Sequence, residues 1–139
     1  MSLVGPRPQV AREVQIYSPV ERTLLDVRPG ITDLASIVFA DEGDILAGRP
    51  DPDLAYNQLI RPWKSRLGLL YVRQRSLRLD LELIWLTALA LASRARALAG
   101  VQRMLARLDA DAQIRRVARR EDPLVPYPPP GASAIVTAR

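Results

Sequence analysis

The sequence predicts an α+β chain, mainly helical: a loop-rich N-terminal segment with a short strand, two or three amphipathic helices, and a disordered tail. Three observations lead there. Pro6, Pro8, Pro19 and Pro29, with Gly5 and Gly30, interrupt residues 1–33 too often for a long helix. From Asp51 onward, apolar residues recur at helical spacing. The last stretch, "PLVPYPPPGASAIVTAR", is proline-rich.

Taken in order, "PVERTLLDV" (19–27) reads as a short helix with Pro19 in its first turn. "LASIVF" (34–39) is the strand candidate, a short apolar run with Ile, Val and Phe. "ADEGDILAGRPDPD" (40–53) reads as an acidic turn region around a helical turn. Asp51 and Asp53 flank Pro52 and announce a helix over "LAYNQLIRPWKSRLGLLYVRQRS", which Pro62 kinks or divides. Tyr56, Leu59, Trp63, Leu67, Leu70 and Tyr71 recur along it at helical spacing. A second helix is expected from about Leu79 to Leu98. Its apolar centre, Leu83 to Ala92, is shorter than the ~20 residues that a membrane span needs. Residues 101–120 form the third, Arg-rich and amphipathic.

Composition excludes more than it selects. The 139 residues contain no cysteine and no histidine, so disulfide scaffolds, Cys/His zinc sites and Ser-His-Asp triads cannot be built from them. Carboxylates, arginines, backbone amides and oxygen-held metals remain. Of 20 basic residues only Lys64 is lysine; against 15 acids the net charge is +5, which favours anionic partners. Arg61, Lys64, Arg66, Arg73, Arg75 and Arg78 follow one another with no intervening acid. Such a run is either a solvated helix face or a surface turned to lipid headgroups or a phosphorylated substrate. No helix-turn-helix pattern or aromatic-interleaved basic strand accompanies it, which argues against nucleic acid. Trp63 and Trp85 read as core packing in preference to interfacial anchors.

Two arginines sit in constrained loops. Pro6 and Pro8 fix their own φ on either side of Arg7, Pro8 also biases Arg7 away from helix, and Gly5 permits close backbone approach. Arg28 precedes Pro29-Gly30, a type II turn signal, and Thr32 adds a hydroxyl. Loops of this kind present a guanidinium at low entropic cost, which suits bidentate phosphate recognition.

"MSLVGPRP", "VRPGITDLASI", "YNQLIRPWKSRLGLLYV" and "RSLRLDLELIWLT" resemble, in order and spacing, consecutive motifs of the bacterial sugar transferases. These are the monotopic phosphoglycosyl transferases that start assembly of polysaccharides and other glycoconjugates. The resemblance covers about residues 1–90. It implies transfer of sugar-1-phosphate from a UDP-sugar to polyprenyl phosphate at the cytoplasmic face of the bacterial inner membrane, by a peripheral or monotopic enzyme using Mg²⁺. A carboxylate nucleophile from an Asp-Glu pair splits that reaction into two steps, while metal and arginines neutralise phosphate charge. By the same resemblance Arg7 contacts a phosphate of the donor. Arg28 and Thr32 shape or line the same pocket, and Gly5, Pro6, Pro8, Pro29 and Gly30 shape its loops.

In the family the Asp-Glu pair and a membrane-embedded helix precede the "SLVGPRP" motif, so neither is expected within these residues. Asp41-Glu42 reads as a solvated turn or helix cap, and Asp80 as a pairing or capping residue near Arg78 or Arg75. No catalytic residue and no metal ligand is therefore assigned. The resulting division is a C-terminal part of a sugar transferase domain (1–98), an Arg-rich helical extension (99–120) and a Pro-rich tail (121–139). The alternative reading is a non-catalytic, nucleotide-sugar-binding or regulatory remnant of that fold.

Overall fold

The computed structural model describes residues 2–5, 19–27, 30–121, 124–131 and 134–135. Strand is confined to two three-residue pieces among them, so the expected α+β character reduces to a mainly helical fold. β1 (Ser2–Val4) and β2 (Gly30–Thr32) pair in parallel, with Ser2 opposite Gly30 and Val4 opposite Thr32. The 3₁₀ turn Glu21–Asp26 occupies the place of the expected short helix after Pro19.

The strand expected at 34–39 is a helix, α1 (Leu34–Val38). Asp33 caps it, accepting from the backbone N–H of Ser36 at 2.9 Å. Leu34, Ala35, Ile37 and Val38 are all buried. A short helix buried on nearly every side carries neither alternation nor an amphipathic stripe, so its composition resembles a buried strand. Helix α2 (Glu42–Leu46) follows.

Helix α3 begins where Asp51 and Pro52 announce it; Asp51 accepts from Leu54 N–H at 3.2 Å. It runs as Pro52–Ala55, a π turn at Tyr56–Ile60, and Arg61–Gln74. Pro62 neither stops nor divides it. The π turn immediately upstream absorbs the ring that would otherwise collide with the preceding turn.

Ser93 sets the largest departure from the expected boundaries. Helix α4 (Leu77–Ala92), capped by Ser76, ends at Ser93, whose extended backbone also starts α5 (Arg94–Arg107). The Ser93 hydroxyl accepts from Arg96 N–H at 3.3 Å. Gly100, which in sequence marks a break between the second and third helices, lies inside α5. A Cβ there would come 2.4 Å from Leu86 Cδ2, so the glycine permits close packing of α5 on α4. Asp109, at φ 56°, turns the chain into α6 (Ala112–Ala118).

The core forms around α1, which packs on α3, α4 and α5. Leu34, Val38, Ile60, Leu67, Leu83, Val101, Met104 and Leu105 are fully enclosed. Burying each large aliphatic side chain contributes about 1.5–3 kcal/mol. Of the tail expected to be disordered, residues 124–131 lie against the helices. Tyr127 donates its N–H to the Gln58 carbonyl at 3.0 Å, and Arg66 Nη1 donates to the Pro128 carbonyl at 2.9 Å.

Candidate functional site

The described ends of the two loop motifs meet at the strand pair. Gly5 N–H donates to the Thr32 carbonyl at 3.1 Å, continuing the ladder one step past Val4. A Cβ on Gly30 would stand 2.2 Å from Gly5 N and 2.5 Å from the Val4 carbonyl carbon. Backbone on backbone cannot yield, so only glycine allows this approach. Gly5, which opens "GPRP", and Gly30 to Thr32, which close "RPGIT", are therefore neighbours at one two-stranded ladder. Gly5, Gly30 and Thr32 lie within it. Arg7, Arg28, Pro6, Pro8 and Pro29 lie outside the described residues.

Thr32 is tied inward. Its Oγ1 is 2.7 Å from Thr87 Oγ1, and Thr87 donates its own hydrogen to the Leu83 carbonyl at 2.8 Å. Thr32 is thus the donor to Thr87 and offers only lone pairs elsewhere. A phosphate oxygen needs a donor, so in this arrangement Thr32 shapes the loop by anchoring β2 to α4.

Glu21, Arg61 and Ser65 form a buried polar cluster beneath the helices. Arg61 grips the Glu21 carboxylate through Nε at 3.0 Å and Nη2 at 2.5 Å, and Ser65 Oγ donates to it at 2.6 Å. Both charged side chains are buried. Nothing local in the sequence signals this cluster: Arg61 and Ser65 are one helical turn apart, but Glu21 lies forty residues upstream of Arg61.

The basic run from Arg61 to Arg78 accordingly splits. Arg61 is paired in the interior, and Lys64 reaches Glu42 at 3.3 Å. Arg66 stacks on Trp63 and Tyr127, with its guanidinium carbon 5.2 and 4.8 Å from the ring centres. Burial lowers the Arg66 pKa from its usual value. Arg73, Arg75 and Arg78 remain exposed.

The Asp41-Glu42 pair is engaged on both residues. Asp41 makes no side-chain cap; its oxygens accept from Arg94 at 3.1 Å and Arg120 at 2.9 Å. Asp80 accepts from the Tyr71 hydroxyl at 2.7 Å rather than meeting Arg75 or Arg78. Burial, then that bond, raises the Tyr71 pKa. A hydrogen bond from Arg107 holds Glu82 below the usual carboxylate range, and Arg78 adds to the effect. Among the described residues no three acidic side chains converge to hold a metal ion, and no step is assigned to one.

A concavity of about 490 Å³ lies between α3, the α5–α6 junction and the tail. Arg66, Arg73, Asp109 and Asp111 all line it, so its wall carries both signs of charge and no clear preference for an anion.

The sequence profile described as Bacterial sugar transferase matches residues 1–94. The chain belongs to the bacterial sugar transferase family. The match closes at the start of α5, so the sugar transferase region comprises β1, β2, the 3₁₀ turn and α1 to α4. α5, α6 and the tail lie beyond it and pack back onto it through Leu86 against Gly100, Asp41 to Arg120, and Trp63 against Tyr127. No curated protein matches the chain. No solved structure matches it either.

Proposed function

We propose that this sugar transferase region supplies the phosphate-binding part of a phosphoglycosyl transfer site. Its donor is a UDP-sugar and its acceptor polyprenyl phosphate, at the cytoplasmic face of the inner membrane. The observation that supports the reading is the glycine-dependent approach of Val4-Gly5 to Gly30-Thr32, the described ends of the two arginine-bearing motifs. Arg7 stands two residues beyond Gly5 and Arg28 two before Gly30 in the sequence. Two guanidiniums on proline-stiffened loops suit a diphosphate: each forks onto two oxygens and offsets charge as the bond to the leaving nucleotide breaks.

The second reading, binding without catalysis by this chain alone, is favoured by the state of the Asp41-Glu42 pair. Asp41 is held by Arg94 and Arg120, and Glu42 by Lys64. A carboxylate so engaged is a poor nucleophile.

Calorimetric titration of the full chain with UDP-sugar, alongside turnover with polyprenyl phosphate, tests both. Binding that falls about tenfold or more in Arg7→Ala and in Arg28→Ala supports the phosphate site. No affinity at millimolar UDP-sugar removes it. Binding without turnover selects the second reading.

A further inference from the structure

The face of α3 around Trp63 and Arg66 holds a proline-rich segment through main-chain groups and rings. Tyr127, Pro128 and Pro129 each precede a proline, so each is biased to extended backbone before it docks. Prolines lack an N–H, so a carbonyl in such a run finds its donor on another element. Arg66 supplies that donor, its Nη1 reaching the Pro128 carbonyl at 2.9 Å. In the other direction the Tyr127 N–H reaches the Gln58 carbonyl at 3.0 Å. The Tyr127 ring lies 4.6 Å from Trp63 and covers the Arg66 guanidinium, and Pro129 and Pro130 are buried.

The receptor groups do not depend on the segment that fills them. The Gln58 carbonyl, Trp63 and Arg66 all stand on α3, within the region matched to the sugar transferase family, and the tail lies beyond that region. What α3 reads is an aromatic ring followed by proline carbonyls, a pattern that any extended chain of that kind carries. The groove is also larger than its occupant. The concavity of about 490 Å³ opens where Pro130 and Gly131 line it beside Trp63 and Arg66. Arg73 from α3, with Asp109 and Asp111 from the α5–α6 junction, gives it both signs of charge. That mixture suits the polar flanks of a polypeptide better than it suits an anion. Upstream, Val125 and Pro126 stay exposed, so few side chains hold the tail in place.

We infer that this face of α3 is a docking groove for an extended segment of another protein, an aromatic residue followed by prolines, and that the chain's own tail competes for it. Such a segment is extended before it binds, so it docks at low entropic cost. A docked tail fills the groove. Its apparent affinity for a second segment therefore scales with the fraction of chains whose tail is off. The inference goes beyond the phosphate-site reading, and its test needs neither nucleotide nor sugar.

The test uses the full chain and a fluorescein-labelled peptide of sequence LVPYPPPG, copied from residues 124–131. Anisotropy should show weak binding to the parent and binding about tenfold or more tighter to Tyr127→Ala, whose tail has lost its ring. Gln113→Ala removes only the partner of the Tyr127 hydroxyl. It should give a smaller gain, and it carries the test if Tyr127→Ala does not fold. Peptide added to Tyr127→Ala should return Trp63 emission to its parent value, because the incoming tyrosine replaces the missing ring. Arg66→Met in the Tyr127→Ala chain should weaken the peptide by about tenfold, with circular dichroism unchanged. No binding to either loosened variant at millimolar peptide overturns the inference. Equal binding of a peptide with alanine in place of its tyrosine also overturns it. So does a concentration-dependent dimer that the peptide dissociates, which would assign the groove to the tail of a second copy.

Discussion

Tyr127 donates its backbone N–H to the carbonyl of Gln58, four residues before Pro62, at 3.0 Å. In an uninterrupted α-helix that carbonyl would accept from the amide of residue 62, and proline has none. The proline thus opens an acceptor on α3, and the tail occupies it. The Tyr127 ring packs on Trp63 with centroids 4.6 Å apart and covers the Arg66 guanidinium. Its hydroxyl donates to Gln113 at 2.9 Å, which adds α6 to the same contact.

Tyr127→Ala should therefore lower unfolding free energy by about 2 kcal/mol, chiefly through lost ring burial and the cation–π contact. Tyr127→Phe keeps the ring and should cost about 1 kcal/mol or less. Urea denaturation of the two variants separates the contributions; equal and negligible effects would mean that the tail does not stay docked.

Removing one partner of the Glu21–Arg61 pair leaves a charge buried without its counter-ion. Glu21→Gln or Arg61→Met should each cost about 3–5 kcal/mol. The double variant Glu21→Leu with Arg61→Met should cost less than the sum, because it removes both charges together. Additive losses in a denaturant double-mutant cycle would contradict the pairing.

Two glycines with similarly close neighbours should respond differently to alanine. The Gly30→Ala methyl group meets backbone at 2.2 Å, whereas that of Gly100→Ala meets the flexible end of Leu86 at 2.4 Å. Gly30→Ala should break the β1–β2 ladder and abolish UDP-sugar binding with helix content retained. Gly100→Ala should leave binding intact and cost roughly 1–3 kcal/mol of stability by overpacking. The paired measurement is calorimetric titration with thermal denaturation.

Tyr71 makes stability fall at alkaline pH. Its phenol has a raised pKa in the folded chain, from burial and then from the Asp80 hydrogen bond. The contribution is complete below the unfolded value of about 10 and is lost as pH rises towards the folded value. Tyr71→Phe should be less stable than the parent at neutral pH, by about 1–3 kcal/mol. That deficit should shrink through the alkaline range. A constant gap across pH would show that Tyr71 does not titrate differently on folding.

The start of α3 was readable because its signal is local: Asp51 and Pro52 act within one turn of where they stand. The loop arginines were readable as a pattern for the same reason. The α1 segment was not, because a short apolar run is compatible with either conformation until its surroundings are known. Ser93 ends one helix and caps the next inside a run of helix formers, with no proline or glycine beside it to mark the boundary. Trp85, read as core, is exposed, while Trp63 is buried against Tyr127.

By itself, the sequence determined the family, the predominance of helix, the proline-stiffened arginine loops and the absence of histidine or cysteine chemistry. Each depends on residue identity and short spacing. Only the tertiary structure decided which arginines are buried beside Glu21 and Tyr127 and which face outward, that β1 meets β2 through Gly30, and which side of α4 is left uncovered. Those outcomes depend on partners tens of residues away: the same arginine is an interior ion pair or a surface charge according to what packs against it.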